Sequence, residues 1–296
     1  SLHYDIMVRA PYLPRVGETL MGSQWWWKPG GKGGNQAMAA ARHGARVEMI
    51  GCLGRDDFGA RLRDLLREAG VGETAVRDVA GGSGMSVALV EAGGDYSAVV
   101  VSGANLALDA AQIEVSSASL RSSRVLVLQN EVKEAASLAA ASIAREAGAT
   151  VLLNAAPVRA LGSHLAALLD VLIVNAVEAE MLGAGPVASL ADALTAARQL
   201  RSVAPTVIVT AGSNGLAAAG GGQELLLPAH KVDRAETHGA GDVMVGAFAA
   251  RLAAGDPLEA ALRYANAAAA LHVGAGETAR YHISPEDVWR LLADHA

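Results

Sequence analysis

Residues 236–252 read ETHGAGDVMVGAFAARL, and this stretch decides how the rest of the chain is interpreted. From Gly241 onward, its small and apolar residues predict a buried amphipathic helix. Gly239, Ala240 and Gly241 carry almost no side chain, so a ligand can approach their backbone N–H groups at the positive end of the helix dipole. The stretch therefore predicts an anion-binding turn at the start of a helix.

A carboxylate, Asp242, follows this turn directly. It could accept a proton from a hydroxyl group while the neighbouring amides hold a negatively charged phosphoryl group. Alternatively, Asp242 only caps the helix, because glycine-rich turns that open helices are common. The stretch alone favours neither interpretation, and a second motif far upstream has to decide between them.

That second motif lies at residues 29–44, which read PGGKGGNQAMAAARHG. The pattern predicts a glycine loop that opens a helix, with Gly44 as the C-terminal cap. A Walker loop would need Ser or Thr where Gly33 stands, and the dinucleotide fingerprint would need glycine where Gln36 stands. Lys32 and Asn35 would instead donate hydrogen bonds to several hydroxyl groups of a small polar ligand.

The composition is that of a globular protein with a large core, since 52% of the 296 residues are hydrophobic and 18% are charged. The net charge of −6 provides no basic surface, which argues against nucleic-acid binding. Cys52 has no second cysteine to pair with, which fits a reducing cytoplasm. No apolar run is long enough to cross a bilayer, and residues 1–4 do not begin a signal peptide. We therefore expect a cytoplasmic protein without a membrane partner.

The middle of the chain alternates between strand and helix patterns. Four apolar strands, at residues 125–128, 150–153, 171–174 and 206–209, each end in polar residues or glycines. In an open parallel sheet, this edge is where ligands bind. Two further extended segments, residues 19–27 and the predicted hairpin around residues 93–95, interrupt this alternation of strands and helices. They predict a small sheet over the main body.

With both glycine motifs in view, the chain resembles the ribokinase-like (phosphofructokinase B) family of sugar and nucleoside kinases, and specifically its ribokinase branch. The matching segments are GGKGGNQA at residues 30–37 and GAGD at residues 239–242. The resemblance implies one domain over residues 1–296, built as a three-layer α/β/α sandwich with a mainly parallel central sheet. It also implies a small β-lid from residues 6–29 and 84–103.

The same resemblance implies ATP-dependent phosphorylation of a hydroxymethyl group on a ribose-like sugar or sugar derivative. Asp242 would be the general base, and the amides of Gly239, Ala240 and Gly241 would hold the transferred phosphoryl group. The residues implied around the sugar are His3, Asp5, Gly31, Lys32, Gly33, Asn35 and Glu131. Those implied around ATP are Asn175, Thr210, Gly212, Ser213 and Gly215, with Asn266 near the adenine. Many relatives have Asn where His3 stands, so ribose itself is in doubt as the substrate.

Two ion sites are implied as well. Glu178, three residues after Asn175, would support Mg²⁺ through water; otherwise it is an ordinary exposed glutamate at a helix start. Glu236 stands where ribokinases carry an Asp that ligates a monovalent cation, and His238 replaces a smaller residue nearby. The segment 277–281, which should close this cation site, lacks the usual pattern. Either K⁺ still binds here or a side chain takes its place, and the sequence leaves both open.

Two other functions compete with this prediction. A nucleoside kinase of the same family shares both motifs, and one of the tryptophans at residues 25–27 could stack on a base. A catalytically silent sugar-binding homologue would keep the fold without turnover. A dinucleotide-dependent oxidoreductase is disfavoured by the failed fingerprint. The three consecutive tryptophans are more apolar surface than a monomer's lid would expose, so we expect a homodimer through the β-lid.

Overall fold

The computed structural model describes residues 1–91, 96–233, 237–276 and 279–294. The strands are β1 His3–Arg9, β2 Gln24–Gly30, β3 Gly51–Gly54, β4 Val76–Val79, β5 Gly84–Val90, β6 Tyr96–Val101, β7 Val125–Gln129, β8 Thr150–Asn154, β9 Val171–Asn175, β10 Thr206–Thr210, β11 Gly215–Gly220 and β12 Gln223–Pro228. The helices are α1 Lys32–Arg42, α2 Asp57–Glu68, α3 Ala110–Val115, α4 Ser117–Ser122, α5 Glu134–Glu146, α6 Ser163–Ala166, α7 Ala176–Met181, α8 Leu190–Gln199, α9 Ala240–Ala254, α10 Leu258–Gly274 and α11 Pro285–Ala293.

The central sheet has the strand order β12-β11-β10-β9-β8-β7. Strands β7 to β10 run parallel, and β11 and β12 add an antiparallel pair at one side. Each of the four predicted apolar strands extends one residue further than predicted, into the polar residue at its carboxyl end. Gln129 pairs with Asn154, and Thr210 pairs with Asn175. The register therefore places a row of polar side chains along one edge of the sheet.

Helices cover both faces of this sheet, because successive strand residues point to opposite sides. On β9, Leu172 and Val174 join a core cluster that also contains alanines of α5 and α8. Ile173, between them, joins a second cluster with residues of α9, α10 and α11. This arrangement confirms the predicted three-layer α/β/α sandwich. Within the described ranges, no helix is long and apolar enough to cross a membrane.

The prediction of an amphipathic helix after Gly241 was wrong, although the helix itself is present as α9. Residues 244–250 are buried without interruption, so α9 has no solvent-facing stripe over this length. The physical reason is that α9 packs against both α1 and α10 and also contacts β7. A helix enclosed on all sides is apolar all round rather than amphipathic.

A separate small sheet has the order β2-β1-β5-β6, as expected for a lid. Its three tryptophans lie in different environments. The Trp25 side chain is 67% exposed, the Arg9 guanidinium lies 5.5 Å from the Trp26 ring centroid, and Trp27 stacks on Tyr4. The hairpin turn predicted at residues 93–95 lies outside the described residues.

We expect Gly246→Ala to destabilise the protein, because an added Cβ would lie 2.5 Å from the Gln36 carbonyl oxygen and 2.6 Å from the Ala39 Cβ. The α1 and α9 backbones would have to separate, at a cost of about 1–3 kcal/mol. Urea unfolding followed by circular dichroism measures this cost. Gly185→Ala is the control, because a Cβ there meets no atom within 4 Å. Equal stability of the two variants would contradict the proposed packing constraint.

Candidate functional site

The two glycine motifs meet at the side chain of Asp242. Asn35 donates from Nδ2 to Asp242 Oδ2 at 3.1 Å, and Gln36 donates from Nε2 to Asp242 Oδ1 at 3.0 Å. Both donors lie in the first turn of α1, and Asp242 lies in the first turn of α9. The starts of the two helices therefore face one cleft, and both carboxylate oxygens have a hydrogen-bond donor.

Gln36 connects this carboxylate to the edge of the central sheet. Its Nε2 also donates to Asn154 Oδ1 at 2.9 Å, and its Oε1 accepts from Gln129 Nε2 at 2.7 Å. Asn154 in turn donates to the Ile173 carbonyl oxygen at 3.2 Å. In the sequence, Gln129 and Asn154 were marked only by the polar ends of their strands, and Gln36 only by its place in the glycine motif.

The charge on Asp242 is disfavoured by its surroundings. Burial raises the pKa of the Asp242 carboxyl above its ordinary value, while the positive charge of Lys32 and the hydrogen bonds from Gln36 and Asn35 oppose this rise. Removal from water dominates the balance. The carboxylate is therefore more basic than an exposed aspartate, and it is held in a fixed orientation.

The amides predicted to hold a phosphoryl group lie in the turn before Asp242, and they differ in their hydrogen bonding. Gly239 has φ of 81°, a left-handed conformation that glycine adopts readily. The Ala240 N–H is directed back into the turn and donates to the Thr237 carbonyl at 3.1 Å. Across the described part of the chain, the amides of Gly239, Gly241 and Asp242 donate to no protein acceptor. The open donors are therefore these three, and Ala240 is not among them.

Several residues predicted around a sugar belong to the glycine loop or contact it. Glu131 accepts from the Lys32 amide at 2.7 Å and from Ser1 Oγ at 2.5 Å. Gly31 has φ of 80°, and its missing side chain lets the loop pass against the backbone of β1. The Gly33 amide donates to Ser1 Oγ at 3.1 Å. Glu131 thus closes the loop against the start of the chain.

Two further predicted sugar residues lie on β1. Asp5 Oδ1 accepts from Ser86 Oγ at 2.7 Å. His3 is 4% exposed, and burial lowers the pKa of its imidazole, while the negative charges of Glu131 and Asp5 act in the opposite direction. The lid strand β1 therefore places one carboxylate and one imidazole next to the glycine loop.

The residues predicted around a nucleotide follow the ends of β9 and β10. Asn175 and Thr210 are direct neighbours in the parallel register. Gly212 and Ser213 come next, in a short 3-10 helix at Gly212–Asn214. Gly215 pairs with Pro228 at the start of β11, and Asn266 donates from Nδ2 to the Pro228 carbonyl at 2.8 Å. These residues thus lie along one corner of the sheet.

Glu178 forms a capping box at the start of α7. The backbone N–H of Asn175 donates to Glu178 Oε2, and the backbone N–H of Glu178 donates to Asn175 Oδ1, both at 2.8 Å. Burial raises the pKa of the Glu178 carboxyl; the hydrogen bond from Asn175 and the charge of Lys32 oppose this, and the charge of Asp242 adds to it. Glu178 therefore caps α7, and the charges of Lys32 and Asp242 influence the pKa of its carboxyl.

Of the two residues of the predicted cation site, Glu236 lies outside the described residues. His238 is exposed, and its backbone carbonyl oxygen is 3.0 Å from His272 Nε2. Among the residues that the structure describes, no group of three or more His, Cys, Asp or Glu side chains is arranged to hold a metal ion. The K⁺ and Mg²⁺ sites thus remain predictions.

Comparisons with known proteins identify relatives over nearly the whole chain. The sequence pattern of the pfkB family carbohydrate kinases matches residues 2–283. The chain is 34% identical to a ribokinase of Haemophilus influenzae over 275 residues, which cover 92% of this chain and 90% of that protein. It is 33% identical to a deoxyribokinase of Salmonella typhi over 281 residues, which cover 94% of this chain and 92% of the relative.

The fold has close structural relatives as well. The structure of Arabidopsis thaliana ribokinase complexed with ribose and ATP superimposes with a TM-score of 0.90 at 27% identity, covering 99% of this chain and 96% of that one. A ribokinase from Thermotoga maritima superimposes with a TM-score of 0.88 at 28% identity, covering 99% of this chain and 97% of the other. The chain belongs to the pfkB family of carbohydrate kinases and is an ATP-dependent kinase of that class.

Proposed function

We propose that this kinase transfers the γ-phosphoryl group of ATP to a hydroxymethyl group of a ribose-like sugar, with Asp242 as the general base. The observation that carries the proposal is the pair of hydrogen bonds from Asn35 and Gln36 to Asp242. They fix a basic carboxylate beside the open amides of the α9 start. A proton acceptor and an anion-binding turn side by side are what phosphoryl transfer to an alcohol requires.

In this proposal the sugar hydroxyl gives its proton to Asp242 as the sugar oxygen attacks the γ-phosphorus of ATP. The bond from that phosphorus to the β,γ-bridging oxygen breaks, and ADP leaves. The amides of Gly239 and Gly241, joined by that of Asp242, would stabilise the negative charge of the phosphoryl group. The Ala240 amide, assigned to this role from the sequence, contributes through the turn it closes with Thr237. The raised pKa of Asp242 makes the carboxylate a better proton acceptor at neutral pH.

The sugar would lie between the lid and the glycine loop. Asp5, Lys32, Asn35 and Glu131 supply donors and acceptors suited to ring hydroxyl groups. The relatives named ribokinase and deoxyribokinase support a five-carbon sugar as the acceptor. The buried imidazole of His3 would be part of this pocket and would help to distinguish ribose from its derivatives.

ATP would bind along the ends of β9 and β10, over Asn175, Thr210, Gly212, Ser213 and Gly215, with Asn266 near the adenine. Mg²⁺ fits this corner, because Glu178 offers carboxylate oxygen, the ligand type that Mg²⁺ prefers, and can act through water. When bound, the ion neutralises phosphate charge.

Phosphoryl transfer should depend on Asp242. We expect Asp242→Asn to lower kcat by at least about 10²- to 10⁴-fold, since the amide cannot accept the proton, while sugar and ATP still bind. An ADP-coupled assay with ribose, 2-deoxyribose and adenosine measures turnover, and calorimetry measures binding.

The same panel separates the alternative functions. Turnover with ribose or deoxyribose by the unmodified enzyme supports the proposal, and turnover with adenosine alone indicates a nucleoside kinase. Sugar binding without turnover on the whole panel would identify a silent homologue. Unchanged kcat in Asp242→Asn would remove Asp242 from the mechanism.

The pH dependence of kcat/KM should report the Asp242 carboxyl. Because burial raises its pKa, we expect activity to fall on acidification at a pH above the ordinary aspartate value of about 3.9. Gln36 donates to the ionised form, so Gln36→Leu should move this acidic limb to still higher pH. Steady-state rates at a series of pH values measure the shift.

The control for this experiment is Gln112→Leu. Gln112 is also a buried glutamine, but its hydrogen bonds are to Cys52 and to the Gly51 carbonyl. Neither partner is hydrogen-bonded to Asp242 in the described structure. This variant should leave the acidic limb where it is. A limb that stays in place in Gln36→Leu, or moves to lower pH, would argue against Asp242 as the titrating base.

We also propose a homodimer through the lid sheet. The strand registers place Trp25, Val87 and Val99 on the same face, and these side chains are 67%, 36% and 71% exposed. An apolar face of this kind favours contact with a second copy of the chain.

For location we propose the cytoplasm, since the buried thiol of Cys52 is free.

The dimer can be tested with two matched substitutions. Val99→Lys places a charge on the apolar lid face and should convert the protein to monomers at micromolar concentration. Leu226→Lys changes an exposed apolar residue on β12, away from the lid, and should leave the dimer intact. Light scattering after gel filtration gives the mass. A monomeric unmodified protein would contradict the proposal.

A further inference from the structure

We propose that His272 is a positioning residue that aims the Gly239 N–H into the phosphoryl site. The inference rests on the proposed function and adds a residue that the sequence analysis did not single out. His272 lies in the last turn of α10, a helix that supplies none of the side chains around Asp242 described above. It acts through the turn that precedes α9.

The contact is direct and partly buried. His272 is 6% exposed, and its Nε2 lies 3.0 Å from the carbonyl oxygen of His238. A carbonyl oxygen can only accept, so Nε2 carries the hydrogen in this contact and donates it. The imidazole therefore holds one carbonyl of the anion-binding turn in place.

Holding this carbonyl also sets the direction of an amide. The carbonyl of His238 and the N–H of Gly239 belong to the same peptide unit. Because that unit is planar and trans, the two groups point in opposite directions. With the carbonyl directed at His272, the Gly239 N–H points away from the ring. It is one of the amides with no protein acceptor within the described ranges.

The ring also lies against Gly239 itself. A Cβ at this position would be 3.2 Å from His272 Nε2 and 3.7 Å from its Cε1. Together with φ of 81°, this contact explains a glycine at position 239. The next peptide unit is fixed separately, by bonds from Ala240 N–H to Thr237 and from Val243 N–H to Gly239. His272 thus controls the peptide unit at the entrance of the turn.

The role predicts a specific kinetic effect. Removing one donor of an oxyanion-type site costs about 10²- to 10³-fold in kcat. Misdirecting the Gly239 amide should cost less than removing it, so we expect a fall of about 10- to 100-fold. The sugar is held by other residues, so its KM should change little. A residue that only stabilised the fold would not produce this separation of kcat from KM.

The experiment compares His272→Phe with His272→Gln. Phenylalanine keeps a ring of similar size but has no donor, and glutamine keeps an N–H donor. We expect low kcat in the phenylalanine variant and at least partial recovery in the glutamine variant, with sugar KM nearly constant. Assays use ribose and MgATP on full-length protein, and thermal unfolding checks that each variant is folded.

Several outcomes would overturn the inference: unmodified kcat in His272→Phe, equal loss in both variants, or a raised sugar KM at constant kcat. If only His272→Gln folds, its kcat should stay within a few-fold of the unmodified enzyme, and a fall to the level of Asp242→Asn overturns the inference. Asp242→Asn also separates the two claims. If Asp242→Asn is inactive while His272→Phe is fully active, only the role of His272 fails. If Asp242→Asn is fully active, the proposed function fails.

Discussion

The hydrogen bonds from Asn35 and Gln36 to Asp242 are the interaction on which the rest of the site depends. They join two helix starts that are about 200 residues apart in the sequence. Their formation requires α1 and α9 to pack closely, and at Gly246 there is no room for a side chain against the backbone of Gln36 and Ala40. The packing of α1 against α9 therefore also fixes the position of the Asp242 carboxylate.

This arrangement also explains how a carboxylate can be both buried and basic. Burial alone would favour a neutral Asp242, and donors alone would favour a weakly basic one. The side chain has one amide donor on each oxygen and the charge of Lys32 nearby, yet burial remains the dominant influence on its pKa. The result is a carboxyl group that is fixed in direction and still inclined to take up a proton.

The sequence predicted most of the fold because the relevant patterns are local. The apolar strands and the Gly44 cap each depend on a few neighbouring residues. The character of α9 was misjudged because its environment comes from α1 and α10, which no local pattern contains. The hydrogen bond from the Ala240 amide to Thr237 could not be foreseen for a similar reason, since it depends on how the turn closes.

The site residues also divide into those that a local motif marks and those that only the folded structure brings together. Asp242 and Asn35 stand in recognisable motifs, so they could be named in advance. Gln36 and His272 act through contacts across more than 30 residues, with Asn154 and with the His238 carbonyl. Only the three-dimensional packing reveals such contacts. The polar residues at the strand ends gave a partial signal, because parallel strands bring their carboxyl ends to one edge.

The most direct measurement of the central claim is a crystal structure with ribose and a non-hydrolysable ATP analogue. The account predicts a hydroxymethyl oxygen within hydrogen-bond reach of Asp242, about 2.6–3.2 Å, and the terminal phosphate at the amides of Gly239 and Gly241. A sugar bound outside the cleft shared by Asn35 and Asp242, or a terminal phosphate away from the α9 start, would contradict it.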